Sequence, residues 1–252
     1  EAAAERAVML RLRPDGSDKQ FFATGLRNSV DFDWSPDGSR IAALTSPTAR
    51  TADVVNARQL VVLNSATGEL ERRFSNRIGW DSPVLWSPDS RFIHIDVWSP
   101  SPGDAWSPAL VSPDDGQTRL LLDGVRATLS DPRWSSDSRF LMGQLLKENQ
   151  TSLVKIDRET GSIQPLSPSG VNIFAKETYS SHDPSGRIVF LKSSPSAPPD
   201  LWLINGAKKS RSITGLNPQI EQISFGAVRD VHWRNPDDGQ KVHGFVVLPV
   251  GY

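Results

Sequence analysis

The sequence predicts an all-β fold, a β-propeller in which about four and a half four-stranded blades are visible. Three observations predict it. Nineteen prolines and eighteen glycines are spread along 252 residues as punctuation between short apolar stretches, and no stretch carries a long, capped helical period. One short pattern then recurs: FDWSPDGSRIAAL from Phe32, VLWSPDSRFIHI from Val84, PRWSSDSRFLMG from Pro132 and SSHDPSGRIVFL from Ser180. Aligning Trp34, Trp86, Trp134 and His182 gives steps of 52, 48 and 48 residues. Finally, each copy continues into two further apolar stretches joined by a tight turn, as in QLVVLNSATGELERRF and SLVKIDRETGSIQPL. A unit of about 40–50 residues with four strands is a propeller blade.

The elements follow in order. VMLRLRPDGSDKQFFAT, residues 8–24, reads as a lone hairpin, half a blade. Full repeats start near residues 30, 82, 130 and 178. In each, one strand ends at the tryptophan, a turn follows, and a second strand leads to a hairpin. A four-stranded sheet cannot bury its two apolar faces alone, and stacked neighbours bury both. Trp34, Trp86 and Trp134 are therefore expected to pack between blades, with His182 taking the same place in the last repeat. Asp37, Asp89 and Asp137 are read as turn formers, because an aspartate side chain accepts from backbone amides in a type I turn. The propeller is expected over residues 1–226. Residues 227–252 then read as a strand, a tight turn and another strand.

Composition excludes several classes. With 28 basic against 29 acidic residues, nothing steers the chain toward nucleic acid or an anionic membrane. No apolar run of about 18 residues offers a membrane helix. EAAAERAVMLRLRPDG lacks the layout of a signal peptide. A mature exported protein would look the same, so the expected soluble chain fits cytoplasm or a periplasmic or secreted setting. There are no cysteines, which removes disulfides, thiolate metal sites and a cysteine nucleophile. No G-x-S-x-G elbow occurs, so no catalytic residue is assigned. His94, His182, His232 and His243 are scattered, none at a metal spacing, and no metal or cofactor is expected. His94 is read as a satisfied, half-buried strand residue. The Asp-Gly pairs read as hairpin turns rather than calcium loops.

The WSPDG-type blades followed by VHWRNPDDGQKVHGFVVLPVGY resemble the prolyl oligopeptidase family of serine peptidases. The blade motif alone is shared with TolB-like and other propellers; blade plus junction is far more specific. The junction elements are Val231 to Trp233, Asp238 and Gly239, Val242 to Leu248, and Pro249 to Tyr252. The resemblance implies a seven- or eight-bladed propeller preceding an α/β-hydrolase domain, with residues 227–252 holding the first strand of that domain. It implies that further blades lie upstream and that the Ser-Asp-His triad lies beyond Tyr252. It also implies that the portion seen here, lacking chemistry, walls and filters a peptide-substrate chamber. Its partners would be the peptide, the hydrolase domain of the same parent and, to complete the propeller, another fragment or copy. Dipeptidyl peptidases of the family carry a paired-glutamate motif, and this sequence contains no Glu-Glu pair. The alternative is a stand-alone TolB-like propeller that binds proteins.

Loop lengths point to one face. The first-to-second and third-to-fourth strand turns are tight, whereas Ser46 to Arg58 and Ser99 to Ser107 are long. These long connections share a face with blade-to-blade loops such as Ser75 to Asp81, and functional residues concentrate on such loops. The candidate substrate or interface residues are Arg50, Arg58, Trp80, Asp81, Trp98, Asp104 and Trp106.

Overall fold

The structure, a computed structural model, describes residues 8–24, 31–46, 57–79, 81–99, 105–148, 150–167, 180–183, 186–205 and 210–252. Among the described residues there are four antiparallel four-stranded sheets, each in simple sequence order. The first holds β3 (Phe32–Trp34), β4 (Arg40–Thr45), β5 (Gln59–Asn64) and β6 (Leu70–Arg73), with β1 (Val8–Arg11) and β2 (Gln20–Thr24) forming a separate hairpin before it. The second holds β7 (Leu85–Trp86), β8 (Ile93–Ser99), β9 (Ala105–Val111) and β10 (Thr118–Leu120). The third holds β11 (Thr128–Trp134), β12 (Phe140–Lys147), β13 (Gln150–Asp157) and β14 (Ile163–Pro165). The fourth holds β15 (Ser180–His182), β16 (Arg187–Ser194), β17 (Ala197–Asn205) and β18 (Ser210–Ser212). A 3-10 helix at Pro218–Gln222 leads to a last hairpin of β19 (Val228–Arg234) and β20 (Lys241–Val247). The chain is a β-propeller, and each sheet is one of the blades the repeats predict.

The middle strands show why blades must stack. β4 and β5 read IAAL and LVVL without alternation, and Ile41 to Leu44 and Leu60 to Leu63 are all buried. A strand covered on both faces selects a continuous apolar run.

The turn after each first strand repeats one device. Ser35, Ser87 and Ser135 donate their hydroxyls to Asp37, Asp89 and Asp137, each at 2.6 Å. Those carboxylates also accept from the amides of Ser39, Arg91 and Arg139. Hydroxyl and amide donors hold the Asp37 and Asp137 carboxyls below their usual range. At Asp89 burial is the foremost influence and pushes up, yet Ser87, Arg158 and the Arg91 amide together outweigh it and keep that carboxyl low as well. The residue after the aspartate has a left-handed backbone, at Gly38, Ser90 and Ser138 with φ of 72°, 58° and 59°. Gly186 takes the matching place in the fourth blade, with φ of 80°.

The chain divides into two compact units. The first comprises residues 1–126, 133–141 and 157–162; the second comprises 127–132, 142–156 and 163–252. The core of the first unit packs Leu44, Leu60 and Val62 with Ile78, Trp86, Ile93, Ile95 and Val111. That of the second gathers Leu153, Ile188, Phe190 and Ile204, with Trp202 against them.

Within the first unit, tryptophans join neighbouring blades by hydrogen bonds as well as area. Trp86 is 4% exposed, and its Nε1–H donates to the Asp33 carbonyl at 3.1 Å. Trp134 Nε1–H donates to the Leu85 carbonyl at 3.2 Å. Each indole thus reaches the residue just before the preceding blade's tryptophan. Trp34 differs from expectation: it is 45% exposed. The His182 side chain lies outside the described residues.

Candidate functional site

In the second blade, β7 is only two residues long and pairs with Ile93 and His94 alone. Beyond that point the free edge of β8 is taken by the blade-to-blade loop. Ile78 bridges Val97, Gly79 N–H donates to the Asp96 carbonyl and Trp98 N–H donates to the Arg77 carbonyl, both at 2.9 Å. Ser82 Oγ accepts from the Asp96 amide at 2.7 Å. Alternation along β8 turns Ile93, Ile95 and Val97 into the core and sets His94, Asp96 and Trp98 on the opposite face.

Trp98 lies directly across from Trp106 on β9. Their rings meet edge to face, with centroids 5.1 Å apart and an interplanar angle of 72°. The Arg77 guanidinium lies 4.6 Å from the Trp98 ring centroid and 5.9 Å from that of Trp106. The Gly79 backbone passes close to the Trp106 ring. A cation over two aromatic faces presents flat area together with hydrogen-bond donors.

Beside this platform sit ionisable groups under tension. Arg58 is 5% exposed, and burial lowers its pKa while the Asp81 charge raises it. Burial, and then the charge of Asp81, push Asp96 up to about 7. His94 is fully buried, and burial pushes its imidazole down to about 4, an effect that the Ala109 backbone offsets only in part. Neither of its ring nitrogens makes a hydrogen bond of good geometry, and Asp96 Oδ1 lies 3.8 Å from Nε2. The sequence expectation of a half-buried, satisfied histidine is corrected: β8 is covered on this face too.

Of the predicted loop-face residues, Arg58, Asp81, Trp98 and Trp106 are described, and the structure brings Trp98 and Trp106 together. Arg50, Trp80 and Asp104 lie outside the described residues. Arg77 and Asp96 escaped sequence reasoning. The one sequence signal for Asp96 is its i, i+2 placement between His94 and Trp98.

The scattered-histidine reading also needs correcting. His232 and His243 are direct partners across the β19–β20 hairpin, with stacked rings 4.4 Å apart and 21° from parallel. Glu148, in the β12–β13 turn, has Oε2 within 3.8 Å of His232 Nε2 and 3.7 Å of His243 Nδ1. An equal count of residues back from each side of the turn would have found this pair. No helix among the described residues is long and apolar enough to cross a membrane, which says nothing of strands.

Comparison with known proteins puts this geometry in context. No protein-family model matches the chain. A curated relative, dipeptidyl-peptidase 5 of Porphyromonas gingivalis, is 24% identical over 234 residues, covering 87% of this chain and 32% of the relative. The chain thus spans about a third of the length of the curated relative it matches. A puromycin-hydrolyzing peptidase of Mycobacterium tuberculosis superposes with a TM-score of 0.63 at 15% identity, over 94% of this chain and 36% of that one. A TolB of Agrobacterium tumefaciens gives 0.56 at 16% identity, over 83% and 74%. The solved structures share the fold; the curated relative shares sequence along most of the chain.

Proposed function

We propose that this chain is the non-catalytic β-propeller portion of a prolyl-oligopeptidase-like serine peptidase, where it forms a wall and filter of the peptide-substrate chamber. The observation that carries the reading is the sequence match to dipeptidyl-peptidase 5, which runs along 87% of this chain while taking up only 32% of the relative. The share of the solved peptidase covered, 36%, fits the same proportion.

In this reading residues 1–226 are propeller and 227–252 are the junction and first strand of an α/β-hydrolase domain of the same parent. The surface of the last hairpin supports a covering domain. Trp233, Phe245, Val247 and Val250 are all more than half exposed, an apolar set that a partner layer would bury. The loop face supplies recognition. Arg77 over Trp98 and Trp106 offers donors to a peptide carbonyl or carboxylate and flat area to its side chains, beside Arg58 and Asp81. Arg50, Trp80 and Asp104 belong to the same face by sequence. Protein chambers of this kind supply walls and exclude water while the reacting groups stand elsewhere.

The test is photo-crosslinking of the 252-residue chain with an unstructured peptide bearing a photoreactive group, mapped by mass spectrometry. Crosslinks should fall on 57–58, 75–82 and 96–107, and Arg77→Ala should reduce those on Trp98 and Trp106 several-fold. Crosslinks confined to the tight turns at 35–39, 65–69 and 113–117 would sink the reading.

A further inference from the structure

The β19–β20 register places His232 against His243, and the β12–β13 turn brings Glu148 to both. One ligand atom from each of the three lies within 4.8 Å of the others. Zinc bonds to imidazole nitrogen and carboxylate oxygen are about 2.0–2.2 Å, so tetrahedral donors stand about 3.4 Å apart. The two nitrogen-to-oxygen separations here, 3.8 and 3.7 Å, need to close by only a few tenths of an ångström. Small torsions of the exposed Glu148 side chain supply that, while the two imidazoles, stacked 21° from parallel, must also turn apart about their side-chain torsions for both nitrogen lone pairs to meet at one ion.

Two further features fit a metal. His243 has its second nitrogen, Nε2, 3.5 Å from Asp230 Oδ1. A carboxylate behind a ligating imidazole fixes its tautomer and orientation. The group also opens on a cleft of about 430 Å³ whose walls include Leu145, Val154 and Ile163, leaving room for water in the remaining coordination positions. Lys147 lines the same cleft and works against a cation, while Glu148 and Asp230 work for it. Two imidazoles and one carboxylate are a donor set suited to zinc and its late first-row neighbours rather than to calcium or magnesium.

We propose that His232 Nε2, His243 Nδ1 and Glu148 bind one zinc-class divalent ion, with Asp230 orienting His243. The ion ties the hairpin to the β12–β13 turn. The three ligands come from segments 84 residues apart in sequence at their closest, Glu148 to His232, so the bond would hold together two parts of the second unit that share no strand pairing. The proposal stands independently of the peptidase reading.

The experiment titrates the full chain, stripped with chelator, with Zn²⁺ alone by calorimetry, and follows Co²⁺ by visible absorption. One equivalent of Zn²⁺ should bind, and Co²⁺ should give d–d bands of four- or five-coordinate type. His232→Ala and His243→Ala should each weaken binding at least about tenfold, and Asp230→Asn by about 10–100-fold, as for other outer-sphere partners. Glu148→Gln lies in a turn and leaves the hairpin register intact; with an unchanged circular dichroism spectrum it too should lose at least about tenfold. No stoichiometric uptake overturns the proposal. So does uptake whose affinity is the same in Glu148→Gln and His243→Ala as in the parent.

Discussion

Asp96 and His94 sit two residues apart on one face of β8 and titrate in opposite directions. The Asp96 carboxyl is held up to about 7 by burial and by Asp81, against an ordinary 3.8. Between those values the folded chain keeps a proton that the unfolded chain has released, so this group makes stability fall as pH rises. His94 is pushed down from 6.5 to about 4. Between those values the unfolded chain binds a proton that the folded chain refuses, so this group makes stability rise with pH. The two slopes oppose each other from about pH 4 to 6.5. Asp96→Asn removes one of them. Its stability relative to the parent should grow by ~1.4 kcal/mol per pH unit from about 4 to 7. Urea titrations at successive pH values check this. A gap that does not change with pH would mean that Asp96 ionises like an exposed carboxylate.

At the scale of the element, the tryptophan that ends the first strand does much of the joining in the second and third blades. Trp86 fills the space between two blades and donates to the Asp33 carbonyl, while the Asp33 carboxylate in turn accepts from the Trp86 amide at 2.8 Å. Trp86→Ala should cost about 3–5 kcal/mol, the range for truncating a core aromatic. Trp86→Phe keeps most of the area but loses the indole hydrogen bond. It should cost about 1 kcal/mol from the missing bond, plus a smaller packing loss. Trp34→Ala should cost distinctly less than Trp86→Ala, because that ring is 45% exposed. Denaturant titrations of the three variants rank these directly. The turn ends of the blades add a second, ionic set of ties. Arg40 reaches Asp114 at 2.7 Å, and Arg158 reaches Asp89 at 2.5 Å.

At the scale of the whole molecule, the 252 residues should take up no label from a serine-reactive fluorophosphonate, since no nucleophile elbow is encoded. Stoichiometric labelling at one serine, located by mass spectrometry, would contradict that. How much was legible beforehand depended on how local the cause is. Strand pairs, turns and blade repeats were legible because Trp, Pro-Asp and Gly sit within a few residues of the feature they set. The candidate platform was half legible. Loop length pointed to Trp98 and Trp106, but Arg77 joins them only because Ile78 and Gly79 pair along β8, a contact that periodicity does not encode. His232 and His243 were missed because eleven residues of separation match no linear metal motif; only hairpin register brings them face to face. The indole bonds carry a last consequence. Each runs to the rung just before the preceding tryptophan, across separations of 53 and 49 residues. Neighbouring blades are indexed to a notch rather than measured off by chain length. Residues inserted between notches, in the connections after Thr45 or Ser99, would lengthen the thread without moving the teeth, so the rims of such a molecule are free to diversify while its stack stays in step.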